Sequence, residues 1–490
     1  MASQAIAAPL KGLIKNKTVF HVTIALIIGI IVYCVLQPKE GQLTEAGVRV
    51  LAATIPTIYL WISLNTHWTC LLFPFLIVAS GTMAPAAVWQ ASMGNFIVTN
   101  ALAFLILCML LAERGIMDKL ALWFMTRNVC RGRPYVFLGM FYFSKLIVGL
   151  SMSNTPISIL YINLTSKITE QIGVKKGHSL NRILYLGTLW ANGIQSSASP
   201  ITFGIMMIGI LAGMGVVVTM AQWLIAGLAL TFLSIIFIMI AVRIYNPDVT
   251  LLKNLDIDLI TKDVPPLTKR AKATAVVVIT TIALVMLPEF FILAGIFPDL
   301  FRWISGLSSP AIAIAGVVAL CIIPYDGEQL LDFPKSVSKV PLTILLFIAC
   351  IMLMTATIAA EWTGIVPWLS AIISPLVDGF SPLTIMILLM ILCVFQTNFL
   401  SSTVTMNLYF FVGVALLADT GISIGAWGIL IAMAANMSFL TPGASLTTPF
   451  WYGPGHVEMS FATKINLVFI FLSIIMLVIM IPILFLIAPA

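Results

Sequence analysis

Two polar triplets interrupt long apolar stretches of the chain: Ser153, Asn154 and Thr155 in GLSMSNTPISIL, and Ser401, Ser402 and Thr403 in TNFLSSTVTMNL. Hydroxyls and a carboxamide with no acid, base or thiol beside them do not make or break bonds; they hydrogen-bond a solute or the backbone. Two further interruptions, Asn192–Pro200 and Asn436–Thr448, carry Gly, Ser and Thr where the flanks are apolar. Three of the four contain a hydroxyl residue followed by proline, at Thr155-Pro156, Ser199-Pro200 and Thr448-Pro449. That pair is a helix-start signature, with the hydroxyl at the N-cap and proline at the first helical position. Helix starts point free N–H groups and a partial positive charge at one place, which suits an anion. Asn154, Thr155, Pro156, Ser199, Ser402, Thr403 and Thr448 are therefore the expected anion-binding set. The opposite ends of the breaks leave carbonyls free around Asn192–Ser197 and Asn436–Thr441, and oxygen ligands suit hard cations. Ser153, Asn192, Gly193, Ser401, Asn436 and Thr441 are the expected Na+ ligands. The plainer alternative is that these side chains merely bridge helices.

Charge within the apolar stretches is confined to Lys145, in the first arm of the first hairpin. It either snorkels or pairs with a carbonyl, or it serves as a built-in cation that alters coupling or draws the anion. All 18 Asp and Glu residues fall near the ends of apolar segments or in loops. A carboxylate at the bilayer centre would cost roughly 2.5 to 3.5 kcal/mol and mark a proton or cation relay, so a carboxylate-based Na+/H+ antiporter is disfavoured. His21, His67, His178 and His456 are scattered without metal-pair spacing. The seven cysteines, at 34, 70, 108, 130, 321, 350 and 393, lie mostly inside apolar runs and read as small core residues. With no metal pair and no nucleophile beside a base, the chain does not read as an enzyme and needs no cofactor.

The elements that hold these residues follow from hydropathy. Of 490 residues, 61% are hydrophobic and 9% charged, far from a soluble domain, and the long runs lack strand alternation, so the spans are helices. Each triplet is flanked by apolar arms of about 15 residues, long enough to reach the middle of a bilayer but not to cross it, so each forms a re-entrant hairpin. Residues 1–133 give scaffold helices and an interfacial helix, Glu113–Arg133. Residues 134–243 hold the first hairpin, a broken helix through Asn192–Pro200 and a following span. Residues 244–272 are a charged linker, 273–380 the second scaffold, and 381–490 the second hairpin, second broken helix and last span, Ile465–Ala488. Basic residues gather on one side: Lys11, Lys15, Lys17, Arg114, Lys119, Arg127, Arg131, Arg133, Lys175, Lys176, Arg182, the linker, Lys335 and Lys339. The formal charge of +7 thus reports topology, with those segments inside, and not nucleic acid.

The halves repeat. Glu113 in AERGIMDKLALWF aligns with Glu361 in AEWTGIVPWLSAI at an offset of 248, the same offset pairs Asn154 with Ser402, and the AN dipeptides pair Asn192 with Asn436 at 244. Counting crossings puts the first hairpin inside and the second outside, an inverted repeat.

The two tips, the AN-containing breaks, the repeat spacing and the segment QLTEAGVRVLAATIPTIYLWI together resemble the divalent anion/sodium symporter family, over nearly the whole chain. That family carries dicarboxylates, citrate and sulfate. The resemblance implies a Ser-Asn-Thr signature in each hairpin, a homodimer, a fixed scaffold, and an elevator motion of hairpins and broken helices with two carboxylates held at the tips and Na+ alongside. Ser153-Asn154-Thr155 matches. The second signature is Ser401-Ser402-Thr403, a shorter hydroxyl in place of the amide, and the family's Pro-Pro-Asn run is replaced by SASPITFG and GASLTTPFWYG. Such a tip suits a bulkier or differently shaped anion, or exchange without sodium. Trp451-Tyr452 reads as packing in preference to ligand stacking.

The expectation is an all-α polytopic membrane protein with inverted repeats, two re-entrant hairpins and two broken transmembrane helices, working as an elevator-type secondary transporter. Its cargo is a small organic anion such as succinate, malate, tartrate or citrate, by Na+-coupled symport or by anion exchange. A sulfate-like or sulfonate carrier of the same fold and an anion channel are the rivals. Short loops place it in a bacterial cytoplasmic membrane.

Overall fold

Hydroxyl and amide caps in front of apolar runs set where the helices begin. The computed structural model describes residues 17–64, 68–151, 154–255, 266–293, 295–441, 445, 447–452 and 457–489; Ser153 lies outside them. The first half contains α1 (Lys17–Val35), α2 (Glu45–Ser63), α3 (Phe96–Glu113), α4 (Ile116–Met125), α5 (Pro134–Gly149), α6 (Asn154–Gln171), α7 (Ser179–Ala198), α8 (Ile205–Gly213) and α9 (Met220–Tyr245). The second contains α10 (Lys269–Met286), α11 (Ser309–Ile322), α12 (Leu342–Ile358), α13 (Ile365–Ile373), α14 (Pro382–Gln396), α15 (Ser402–Leu417), α16 (Ile424–Ala435) and α17 (Met459–Ile487). Thr44 accepts the Gly47 N–H at 3.0 Å and Asn95 accepts that of Ile97 at 3.0 Å. Thr219 and Gln222 form a capping box at the start of α9.

Among the described residues, seven helices are long and apolar enough to cross a membrane, and an eighth span counts if the Pro298–Gly306 helix and α11, bent by 89°, are joined. The chain is a multi-pass membrane protein. The repeat reappears as an element order: Gly115 and Gly364, both at φ 67, each open a short helix, α4 and α13. Proline-started arms α5 and α14, returning arms α6 and α15, and crossing helices α7 and α16 follow in turn.

The centre is formed by α7 and α16. Every residue from Ile183 to Ala198 and from Gly425 to Ala435 is buried. α7 packs on α5, α6 and α9, α16 packs on α14, α15 and α17, and the two meet each other. Away from them, α3 packs on α11 and α12. Thr44 N donates to Thr363 O at 3.1 Å, tying the start of α2 to the turn before α13.

Three features depart from the sequence reading. The helix does not break at Asn192: α7 continues to Ala198, and the interruption is Ser199 followed by a π turn, Pro200–Gly204. A two-stranded hairpin, Pro324–Tyr325 with Glu328–Gln329, sits within the second scaffold. The last span starts at Met459, upstream of Ile465, because its first turns carry Ser460, Thr463 and Lys464, whose polarity masks a helix start that hydropathy alone places later.

Candidate functional site

The first tip joins α5 to α6. α6 begins at Asn154, so Thr155 and Pro156 occupy its first turn and Thr155 is not its N-cap. First-turn N–H groups have no intrahelical partner, so Pro156 removes no bond there. Thr155 is exposed and Asn154 half-buried.

Ser199 does cap. Its hydroxyl accepts the Ile201 N–H at 3.3 Å and donates to Leu150 O, in the first tip, at 3.0 Å. Pro200 has no N–H, which would orphan Ser196 O one turn back. Thr202 Oγ1 donates to that carbonyl at 2.8 Å, the Trp223 indole donates to Ser197 O at 3.2 Å, and Gly204 N reaches Ser199 O at 3.3 Å. Ser196 and Ser197 lie 2.7 and 3.1 Å from Asn192 O and Gly193 O. The carbonyls expected to be free at Asn192–Ser197 are therefore engaged, and the Gly and Ser residues support close packing without breaking the helix.

Asn192 is the hub of the first half. Its Oδ1 accepts from Lys145 Nζ at 3.1 Å and lies 2.8 Å from Ser158 Oγ, and its Nδ2 donates to Thr447 Oγ1 at 3.0 Å. Ser158 Oγ is 2.6 Å from Asn154 O, and Ser196 Oγ is 2.7 Å from Asn154 Oδ1. Lys145 is wholly buried, and its Nζ stands 5.2 Å from the ring centres of both Tyr161 and Trp451. It does not snorkel.

At the second tip the amide sits before the triplet. Asn398, fully buried, donates to Val394 O at 2.7 Å and Met437 O at 3.0 Å, and accepts the N–H groups of Phe439 and Leu440 at 2.7 and 2.9 Å. Its own carbonyl accepts the Thr441 hydroxyl at 2.7 Å. Thr397 Oγ1 contacts Ala435 O and lies 3.3 Å from Ser402 Oγ, which is in turn 3.3 Å from Ser438 Oγ. The helical break after α16 is real: Asn436 to Thr441 are not helical. Ser401 stands at the α15 N-cap position, but its hydroxyl accepts no N–H of the first turn. Thr403 O accepts from Asn407 at 2.8 Å, and buried Thr448 bonds Ser445 Oγ at 2.8 Å. Trp451 donates to Thr188 Oγ1 at 2.9 Å and Tyr452 to Phe439 O at 2.7 Å.

The interruptions converge. Gly193 faces Asn436 O and the Phe439 ring, Ser197 Oγ is 3.2 Å from Met433 O, and Thr447 and Trp451 reach the Lys145–Asn192 pair. Asn154, Asn192, Gly193, Ser199, Asn436 and Thr448 thus belong to one buried polar seam, with Ser402 and Thr441 held to it through Thr397 and Asn398. Asn398, Ser158, Ser196 and Thr447 were missed in the sequence; a buried-type amide in an apolar run and the i, i+4 pairs Asn154/Ser158 and Asn192/Ser196 were the available signals.

A cavity of about 690 Å³ lies elsewhere, lined by Glu113, Arg114, Arg270, Glu328, Asp332 and Lys335, which places together basic residues assigned to one side by topology. Among the described residues, no group of three His, Cys, Asp or Glu residues gathers for a metal.

No family model matches the chain. It is 23% identical to the sodium-dependent dicarboxylate transporter SdcS of Staphylococcus saprophyticus, over 96% of this chain and 90% of that protein. This end-to-end match bears out the resemblance read from the two tips and the AN breaks.

Proposed function

We propose that this chain, similar to the divalent anion/sodium symporters from end to end, is a secondary transporter for a small organic anion bearing two or three carboxylates. The observation that carries the reading is the convergence of four interrupted segments, from both halves, on one seam among buried apolar helices. Irregular backbone at that depth is tolerated where it serves a solute path. The name of the SdcS relative, a sodium-dependent dicarboxylate transporter, supports both the cargo class and Na+ as co-transported ion.

In this reading the starts of α6 and α15 present N–H groups and the Asn154 amide to the two ends of the anion, with Thr155 and Thr403 at the rim and Pro156, Ser199, Ser402 and Thr448 shaping it. Na+ is held by oxygens of Ser401, Asn436 and Thr441 on the second-half side and by Ser153 on the first, the Gly193 carbonyl being already engaged by the Ser197 hydroxyl. Both hairpins with α7 and α16 move as an elevator against a fixed scaffold, within a homodimer in a bacterial cytoplasmic membrane. The divisions at 133, 243, 272 and 380 separate the moving parts from the static ones.

The second reading is a sulfate-like or sulfonate carrier. The short Ser402 hydroxyl, turned toward Thr397 and Ser438, favours it by leaving backbone N–H groups as the main donors at that tip. Uptake into proteoliposomes, with succinate, citrate and sulfate as competing probes, tests both. Asn154→Ala is expected to abolish uptake while the protein stays monodisperse, and unchanged uptake by that variant rejects the site. Saturable counterflow separates a carrier from a channel.

A further inference from the structure

The end of α3, the start of α10, the end of α11 and the hairpin at 324–329 enclose the cavity of about 690 Å³, apart from the polar seam. Its carboxylates are already engaged. Glu113 pairs with Lys339 at 2.6 Å, Glu328 with Arg270 at 2.6 Å, and Asp332 Oδ1 accepts the Lys335 N–H at 3.2 Å. Its arginines keep donors to spare. Arg114 donates from Nη2 to Leu330 O at 3.0 Å, and among the described residues no carboxylate lies within ion-pair distance of it. Arg270 donates from its two terminal nitrogens to Glu328 and to Gln329 O. In both guanidiniums Nε is buried without a hydrogen-bond partner, a costly state for a donor that carries charge. The two cations also act on each other. Burial first, and then the Arg270 charge, lower the Arg114 pKa, and neither Glu113 nor Glu328 acts on Arg114 as strongly. With Lys335 and Lys339 included, four cations meet three carboxylates. The dipole of α3, which Arg114 caps at its C-terminal end, accounts for one of those cations and not for two guanidiniums on one cavity.

We propose that this cavity binds a phosphate-bearing anion between Arg114 and Arg270, at a site separate from the transport seam. A planar carboxylate is satisfied by a single guanidinium fork. Two guanidiniums from different helices suit a tetrahedral oxyanion, whose oxygens diverge. Such an anion gives each Nε an acceptor and relieves the repulsion between the arginines. It also ties the start of α10, just after the charged linker, to the end of α3, so binding steadies the scaffold. A free phosphate and a lipid head group share this chemistry, and the half-exposed Phe333 gives the rim an apolar edge.

The test melts the full chain in detergent and in phosphatidylcholine nanodiscs, in potassium phosphate or in potassium chloride of matched ionic strength, and again in discs that contain phosphatidylglycerol. Inorganic phosphate or phosphatidylglycerol is expected to raise the melting temperature by a few degrees, because each binds only the folded state. A shift from inorganic phosphate identifies a soluble ligand, and a shift from phosphatidylglycerol alone identifies a lipid head group. Arg114→Gln is expected to weaken binding about tenfold, and Asn154→Ala, at the seam, to leave it unchanged. Glu328→Gln, which relieves Arg270 of its carboxylate, is expected to bind more tightly and decides the matter if Arg114→Gln does not fold. The proposal is overturned by no shift from either probe, by a shift that survives Arg114→Gln or weakens in Glu328→Gln, or by an Arg114-dependent shift that succinate produces and phosphate does not. None of these results bears on the transporter reading, which uptake tests separately.

Discussion

Gly193 and Asn436 touch: the α-carbon of one lies against the carbonyl oxygen of the other, and a Cβ at Gly193 would overlap that oxygen and the Phe439 ring. The two AN dipeptides aligned by the internal repeat are thus in contact at the centre of the molecule. Gly193→Ala is expected to destabilise by about 1–3 kcal/mol, because neither a buried helix nor a hydrogen-bonded loop gives way cheaply. A lowered melting temperature in detergent, with uptake lost, is the outcome to look for.

Asn398 satisfies two N–H groups and two carbonyls with one side chain. Asn398→Ala leaves buried donors at Phe439 and Leu440 unpaired, at about 1–3 kcal/mol for each group. Asn398→Asp keeps the acceptor but turns an oxygen towards Val394 O and Met437 O, so it is expected to fare little better. Melting of both variants beside wild type checks this; a stable Asn398→Asp would show that only the acceptor matters.

Thr202 supplies the proton that Pro200 withholds from Ser196 O. Thr202→Val retains shape but loses that bond, an expected cost of about 1–3 kcal/mol. Thr202→Ser should behave like wild type in the same thermal assay.

Gly364 has φ 67 and lies against Gln42 O, while the Thr44 hydroxyl is 2.8 Å from Trp362 O. A side chain at Gly364 meets strain and overlap together. Gly364→Ala is expected to lower expression or melting temperature well beyond Thr44→Val, which loses hydrogen bonds and a cap worth about 1 kcal/mol each.

The Lys339–Glu113 pair, at 2.6 Å, links two segments far apart in sequence, yet its side chains are 40% and 38% exposed. Pairs of that exposure contribute about 0–1 kcal/mol. Glu113→Gln is expected to leave melting within error, and a large loss would mean that the cavity wall beside Arg114 depends on this contact.

The polar triplets were legible as the turns between apolar arms, but the second return arm, Ser402–Thr420, is long and apolar enough to cross a membrane, contrary to the expectation that every arm is too short. The repeat was legible too, since Glu113 and Glu361 mark equivalent helix ends before Gly115 and Gly364. The first break was misplaced because Gly193, Ser196 and Ser197 have two opposite uses. In isolation they weaken a helix; against Asn436 and Met433 they allow close approach and back-bond their own turn. Only tertiary contact decides between these. Asn398 was not legible because its partners, Met437 to Leu440, are remote in sequence and only the fold brings them to it.

The wide turn at Pro200–Gly204 changes the azimuth of everything after it. An inserted residue swings a helix by about 100° around its axis, so α8 turns Met207, Ile210 and Leu211 inward where an uninterrupted continuation of α7 would have presented other side chains. Shortening that turn by one residue would rotate the whole of α8 out of phase with Ile97 and Met352, the side chains beside Gly209, even though no polar group had been touched.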